Sequence, residues 1–115
     1  MTVLVTGGAG FIGSHFVDMH LESCPEDSVV CLDKLTYAGS MDNLATAQKN
    51  VHFRFVRGDI CDRELLKRLF DEFRPDKVVN FAAESHVDRS IASPQIFLET
   101  NYMGTAALLD ASLEY

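Results

Sequence analysis

Short runs of apolar residues along the chain predict four β-strands. The runs at 2–6, 28–33 and 77–83 are continuously apolar, which is typical of strands that are buried on both faces. Residues 51–57 instead alternate between apolar and polar side chains, which indicates a strand with one face in contact with solvent. The pattern therefore predicts three buried strands and one strand that is only half-buried.

Apolar residues at helical spacing predict three helices between and after these strands. A second helix is predicted after a capping residue at Asp62, and Pro75 lies just beyond its end. A third begins at the pair Ser93-Pro94, an N-cap followed by proline at the first helical position, and runs to the end of the chain. The first helix is predicted over 11–23 from three apolar positions, which we expect to face the core: Ile12, Phe16 and Met19.

The order of these elements predicts an α/β fold. Strands that alternate with helices form parallel sheets covered on both faces. In the doubly wound strand order 3-2-1-4 the third strand lies at an edge, which agrees with its solvent-facing pattern. We therefore predict one domain over 1–115, a truncated, Rossmann-like doubly wound parallel sheet of about four strands. The last helix reaches Tyr115 without a glycine cap, so we expect the first part of a longer protein; the alternative is natural fraying at a true C-terminus.

Charge and cysteine content narrow the class of protein. The chain has 17 acidic and 10 basic residues, and this net charge of −7 argues against a nucleic-acid or anionic-membrane partner. Three cysteines without a CxxC motif indicate reduced thiols in a reducing compartment and no zinc site.

His15 and His20 do not share a helix face, and we expect no metal site. Neither a signal peptide nor a transmembrane stretch is predicted, so we expect a cytoplasmic protein.

A glycine-rich segment, VTGGAGFIGSH at 5–15, joins the first strand to the first helix. Its glycines fit both GxGxxG, through Gly8, Gly10 and Gly13, and GxxGxxG, which starts from Gly7. Such glycines allow a tight turn, close approach of a pyrophosphate to the backbone, and close packing of the helix. The pyrophosphate would then sit at the helix N-terminus, near Phe11. The alternative is a tight turn that binds nothing.

Asp33 ends the second strand, 20 residues after Gly13, where an acidic residue can accept hydrogen bonds from the adenosine ribose hydroxyls. Its charge would repel the 2′-phosphate of NADP, so the sequence favours NAD, although Lys34 could weaken that preference. The alternative for Asp33 is a turn residue at the end of a strand.

Two further segments are predicted to line the same crevice. After the third strand, Asp59 is predicted to bond the adenine amino group and Ile60 to cover a ring face; the alternative is a plain helix entry capped by Asp59 or Asp62. After the fourth strand, the segment NFAAESHVDRS faces the glycine loop, because strands one and four are neighbours at the switch point of this fold. Its two alanines are small enough for the dinucleotide to lie against the backbone.

Four motifs together resemble the extended short-chain dehydrogenase/reductase family, most closely its dTDP-glucose 4,6-dehydratases: TGGAGFIGSH, DKLTYAG at 33–39, GDI at 58–60 and NFAAESHVDRSI at 80–91. The resemblance covers the whole chain. It implies that 1–115 is the N-terminal part of an NAD-binding domain whose substrate domain is absent from this chain. It also implies a nucleotide-sugar substrate and a homodimer in the full-length protein.

The resemblance implies roles for individual residues. It places Ser85 at both cofactor and substrate. For His86, Asp88 and Arg89 we favour a salt-bridged loop that shapes the pocket; the alternative is a direct role at the site. The residues implied to bind cofactor are Gly7, Gly10, Phe11, Ile12, Gly13, Asp33, Lys34, Leu35, Thr36, Asp59, Ile60, Phe81, Ala82, Ala83, Glu84, Ser85 and Thr100.

The reaction of such dehydratases oxidises C4 of the glucose, eliminates water across C5 and C6, and returns the hydride to C6. The family uses a Tyr-x-x-x-Lys pair and an Asp-Glu pair, and the resemblance places both downstream of Tyr115; no Tyr-x-x-x-Lys occurs in this sequence. We therefore assign no catalytic residue and predict that this chain alone is inactive. The alternatives are a related UDP-sugar dehydratase, decarboxylase or 4-epimerase, or a non-catalytic NAD-binding module.

Overall fold

A parallel four-stranded sheet forms the centre of the fold. The computed structural model describes residues 1–35, 41–81 and 105–114. The strand order is β3-β2-β1-β4, which confirms the predicted order 3-2-1-4. All neighbouring strands are parallel. The strands are β1 (Thr2–Thr6), β2 (Ser28–Asp33), β3 (Phe53–Arg57) and β4 (Lys77–Asn80).

Helices cover both faces of this sheet, as the sequence predicts. The segment between β2 and β3, expected to be a loop, contains two short 3₁₀ turns, Met41–Leu44 and Ala47–Lys49. The third predicted helix is described only over its last part, and its expected start at Ser93-Pro94 lies outside the described residues. The helices are α1 (Phe11–Ser23), α2 (Arg63–Phe73) and α3 (Thr105–Glu114).

The sheet divides the apolar core into two layers because successive side chains of a strand point to opposite faces. Leu4, Val30 and Leu32 pack with α2 and α3 on one face. Val3, Val5, Val29 and Cys31 pack with α1 and the 3₁₀ turns on the other. β1 and β2 therefore bury both of their faces, as their continuously apolar sequences predict.

The buried face of α1 differs from the predicted one. The helix buries Gly13, Ser14, Val17 and Leu21, whereas Ile12 and Met19 are 69% and 58% exposed. The expectation that Met19 packs in the core is therefore wrong. Small residues at the start of α1 let its backbone approach the glycine loop, and this contact together with the buried Val17 and Leu21 orients the helix, which leaves Ile12 and Met19 outside. Phe16 is partly buried, as is Met41, while Met103 lies outside the described residues.

The predicted fourth strand is shorter and more exposed than expected. β4 ends at Asn80, so Phe81 follows the strand, and Ala82 and Ala83 lie outside the described residues. Val78 and Val79 are only half-buried. Within the described sheet β4 has a neighbour on one side only, which leaves it less covered than β1 and β2.

Both ends of α2 have the predicted signals. Asp62 is the N-cap, and one of its carboxylate oxygens accepts a hydrogen bond of 3.1 Å from the Leu65 N–H. The helix ends at Phe73, directly before the C-cap Arg74 and the predicted Pro75; Arg74 adopts a left-handed conformation with φ of 45° and donates its N–H to the Phe70 carbonyl. Across the described ranges we find no helix with the length and apolarity to cross a membrane.

We predict that Leu66→Ala lowers the free energy of unfolding by about 2–5 kcal/mol, because it leaves a cavity in the layer between α2 and the sheet. Leu66 is 1% exposed. The matched control, Leu113→Ala, changes a side chain that is 86% exposed and should alter the free energy by less than about 0.5 kcal/mol. Urea unfolding measures both, and equal effects of the two substitutions would contradict the assignment of the core.

Candidate dinucleotide-binding site

The glycine loop turns sharply at the carboxyl end of β1. Gly7 has a φ of 72°, a left-handed conformation that side chains other than glycine rarely adopt. Its N–H donates to the Leu32 carbonyl at 2.9 Å, and its own carbonyl accepts from the Gly10 N–H at 3.2 Å. This turn therefore continues the pairing of β1 with β2 for one residue and then directs the chain into α1.

Two more glycines allow close packing around the loop. A Cβ atom at Gly13 would overlap the Gly7 carbonyl oxygen and lie 2.9 Å from the Gly8 Cα, so the first turn of α1 rests directly on the loop backbone. A Cβ atom at Gly8 would overlap the Cys31 sulfur. Burial, together with the charge of Asp33, raises the pKa of the Cys31 thiol to about 12, so Cys31 is an inert packing residue beneath the loop.

The N-terminus of α1 lies open at this edge of the sheet. Its N-cap is Gly10, which has no side chain to bond the first amide groups. The first turn of α1, all of it within the described part of the chain, holds no acidic side chain. Phe11 is 74% exposed beside these amides. The helix dipole and the unpaired amides of a first turn together favour an anion at this position.

The carboxylate of Asp33 holds the loop from the neighbouring strand. Asp33 is 9% exposed, and one oxygen accepts from the Ala9 N–H at 2.8 Å while the other accepts from the Leu35 N–H at 2.7 Å. Leu35 has a φ of 58°, so the chain leaves β2 in a left-handed turn around this carboxylate. Asp33 is therefore a turn residue at the end of a strand, which was the alternative interpretation of this position. Its carboxylate also holds the glycine loop in place through the hydrogen bond from Ala9.

Asn43 is a residue of this region that the sequence analysis missed. Its side-chain amide, in the first 3₁₀ turn, donates to the Ala9 carbonyl at 2.8 Å. The peptide groups on both sides of Ala9 are therefore held by side chains, Asp33 at the N–H and Asn43 at the carbonyl. The two bonded residues are separated by 34 positions in the sequence, and no local pattern around Asn43 marks it as a partner of the loop.

Lys34 and Asp59 form an ion pair with a distance of 3.2 Å between Nζ and Oδ2. The other Asp59 oxygen accepts from the Cys61 N–H at 2.9 Å. Burial pushes the pKa of Asp59 upward, but the Cys61 bond and the Lys34 charge outweigh it, and the pKa lies below its usual value. The alternative interpretation was a plain helix entry capped by Asp59 or Asp62. The structure shows that Asp62, and not Asp59, caps α2.

The remaining described candidates are Ile60 and Phe81. Ile60 is 4% exposed and packs in the core layer under α2, so little of its side chain is available to a ligand. Phe81 follows β4 and donates its N–H to the Thr6 carbonyl at 2.7 Å; the centroid of its ring lies 5.6 Å from that of Phe16, with the two rings tilted by 50°. Phe81 therefore lies beside the end of β1, in agreement with the prediction that strands one and four are neighbours in the sheet.

Other candidates fall outside the described residues: Thr36, Ala82, Ala83, Glu84, Ser85, His86, Asp88, Arg89 and Thr100. Their roles remain predictions. The described candidates lie in the segments that follow β1, β2, β3 and β4, at the carboxyl edge of the sheet, where ligands bind in open α/β folds.

Two known proteins are similar to this chain over nearly all of its length. The chain is 59% identical to the low-salt glycan biosynthesis protein Agl12 of Haloferax volcanii and 55% identical to the dTDP-glucose 4,6-dehydratase of Xanthomonas campestris, in each case over 99% of its own length. It spans 36% and 32% of the lengths of these two relatives.

Solved structures share the fold. The dTDP-glucose 4,6-dehydratase of Streptomyces venezuelae, crystallised with NAD bound, matches with a TM-score of 0.93 and 52% identity over 99% of this chain and 36% of its own. A UDP-glucose 4-epimerase of Thermotoga maritima matches with a TM-score of 0.89 and 37% identity over 100% of this chain and 35% of its own.

The predicted resemblance to the extended short-chain dehydrogenase/reductases, and to dTDP-glucose 4,6-dehydratases among them, is thereby confirmed. A family model for GDP-mannose 4,6 dehydratase matches residues 4–115. The chain belongs to the GDP-mannose 4,6 dehydratase family.

Proposed function

We propose that this chain is the NAD-binding part of a nucleotide-sugar 4,6-dehydratase that acts on dTDP-glucose. One observation carries the proposal: Asp33 holds a glycine loop whose helix N-terminus is open, at the carboxyl edge of a sheet with the order β3-β2-β1-β4. NAD would supply the reversible transfer of a hydride, and the chain's own residues would bind and orient it.

Each part of the dinucleotide has a proposed set of residues. Gly7, Gly10, Phe11, Ile12 and Gly13 would hold the pyrophosphate at the start of α1, where the first-turn amides offer N–H donors. Asp33, Lys34, Leu35 and Thr36 would surround the adenosine ribose, and Asp59 and Ile60 the adenine. The nicotinamide end would lie along the segment from Phe81 to Ser85, with Thr100 beside it and Ser85 also at the substrate.

The ion pair of Lys34 supports NAD over NADP. A 2′-phosphate next to the ribose would meet the carboxylate of Asp33 at the end of β2. Lys34 is the basic side chain closest in sequence to Asp33, and its charge is already balanced by Asp59 at 3.2 Å. Binding NADP would therefore require Lys34 to leave Asp59 and to overcome the charge of Asp33.

The dehydratase activity rests on similarity across the whole chain. The dTDP-glucose 4,6-dehydratase of Xanthomonas is 55% identical, whereas the Thermotoga 4-epimerase is 37% identical with a similar fold. This difference favours elimination of water over epimerisation, while a 4-epimerase remains the second candidate.

We further propose a homodimer as the full-length protein and a reducing, cytoplasmic location; none of the three cysteines, all within the described ranges, forms a disulfide.

We predict that the 115-residue chain binds NAD at least about tenfold more tightly than NADP, a difference of about 1.4 kcal/mol in free energy of binding. Asp33→Asn should reduce this ratio toward one, because it removes the charge that repels the 2′-phosphate. Isothermal titration calorimetry measures both affinities. The matched control is Asp76→Asn, whose carboxylate accepts the Thr2 N–H at 2.8 Å at the opposite edge of the sheet. An unchanged ratio in Asp33→Asn would refute the proposed contact with the ribose.

We predict that Asn43→Ala weakens NAD binding about fivefold, because the Ala9 carbonyl loses a hydrogen bond worth about 1 kcal/mol. The loop amides would then be less well positioned for the pyrophosphate. Asn50→Ala is the control, since its side chain accepts from the His52 N–H away from the loop. Equal NAD affinities of the two variants would show that Asn43 does not position the loop.

We predict that the isolated chain, saturated with NAD, does not convert dTDP-glucose. The sequence contains no Tyr-x-x-x-Lys pair to exchange a proton with the C4 hydroxyl. Mass spectrometry of the sugar nucleotide after incubation should show no loss of water. A dehydrated product would show that residues within 1–115 are sufficient for the reaction.

A further inference from the structure

Three side chains with different donor atoms converge at the end of α1 opposite the glycine loop. They are His20 in the last turn of the helix, Cys24 at its C-cap, and Asp27 in the turn before β2. An imidazole nitrogen, the thiol sulfur and a carboxylate oxygen all lie within 4.8 Å of one another. The expectation of no metal site rested on the spacing of His15 and His20 and on the absence of a CxxC motif, and neither criterion covers a set of three different ligand types.

We propose that His20, Cys24 and Asp27 form a binding site for a zinc ion. Imidazole, thiolate and carboxylate are the three side-chain ligand types that zinc accepts, and three protein ligands leave a fourth position for water. Magnesium and calcium require sets of oxygen ligands, so the nitrogen and sulfur donors disfavour both of them. The site is separate from the proposed function, since α1 extends about 20 Å from its first to its last residue.

The backbone of this segment already holds the three residues together. His20 and Cys24 are four positions apart, which places them on one face of the helix. The Cys24 N–H donates to the His20 carbonyl at 2.8 Å, and the Asp27 N–H donates to the Cys24 carbonyl at 3.0 Å. These two bonds fix the turn that carries the ligands. Little rearrangement of the chain is therefore needed for all three donor atoms to reach one ion.

The electrostatic surroundings favour a cation. The last carbonyl groups of α1 give this end of the helix a partial negative charge. His20 Nε2 lies 2.9 Å from one Asp27 oxygen, and zinc would replace the proton that these two atoms share. The other Asp27 oxygen lies 3.5 Å from the Met1 amino group, which is the nearest competing positive charge. Binding also displaces the thiol proton of Cys24, so one or more protons are released for each zinc bound.

The site would add a link between two elements that already share a core layer through Leu21 and Val29. His20 belongs to α1, whereas Asp27 immediately precedes β2. An ion coordinated by both would hold the C-terminal end of α1 to the start of the sheet. Since zinc would bind the folded chain and not a preformed site in the unfolded chain, we expect it to raise the melting temperature.

Cobalt(II) provides the direct test because thiolate coordination produces a charge-transfer absorption in the near ultraviolet. The full 115-residue chain, freed of metal by a chelator, should develop this band with one equivalent of cobalt and lose it when zinc is added. Cys24→Ser should abolish the band, and His20→Gln or Asp27→Asn should weaken metal binding at least about tenfold, because even the loss of a residue that only orients a ligand costs about 10- to 100-fold. Zinc should raise the melting temperature of the unsubstituted chain and not that of Cys24→Ser.

The control variants change the same residue types at other positions. Cys61→Ser and His52→Gln should bind cobalt as the unsubstituted chain does. Absence of the band in a folded chain, or a band that Cys61→Ser removes and Cys24→Ser leaves, would overturn the proposal and leave His20 and Asp27 as a hydrogen-bonded pair. NAD affinity, measured separately, is expected to be unchanged in Cys24→Ser, so failure of the zinc site and failure of the dinucleotide site are distinguishable.

Discussion

The carboxylate of Asp33 connects the sheet to the loop on which the candidate site depends. It accepts the Ala9 N–H at 2.8 Å and the Leu35 N–H at 2.7 Å, so one buried group ties together the segments that follow β1 and β2. A charge-assisted hydrogen bond in a buried position is stronger than one between neutral groups, and losing a partner there is costly. The position of the loop is therefore set before any ligand arrives.

The loop combines a rigid backbone with open donor groups. Asn43 holds the Ala9 carbonyl from the opposite side, and Gly13 allows the first turn of α1 to rest on Gly7 and Gly8. Gly10, at the N-cap, has no side chain that could bond the first amides of α1. Donors that are preorganised in this way bind an anion with little free-energy cost for reorganising the loop. Phe11, the first residue of α1, is exposed beside the same amides.

The two ends of α1 have opposite chemistry. At its N-terminus, amide donors and the positive end of the dipole favour an anion, whereas His20, Cys24 and Asp27 gather at the C-terminal end, where the dipole favours a cation. The contact of α1 with the glycine loop is fixed by small residues. Of its apolar side chains, Val17 and Leu21 are buried, whereas Phe11, Ile12 and Met19 remain exposed.

Local sequence determined the strands, helix ends and glycine turn of this protein, because these features depend on residues close together in the chain. The apolar runs defined β1 and β2, Asp62 marked the start of α2, and the glycine spacing predicted a tight turn between β1 and α1, which the structure places at Gly7. Only the tertiary structure decided which face of α1 is buried, where β4 ends, and that Asn43 reaches Ala9. Those outcomes depend on contacts between segments distant in the sequence, where packing of backbone against backbone outweighs the periodicity of side chains.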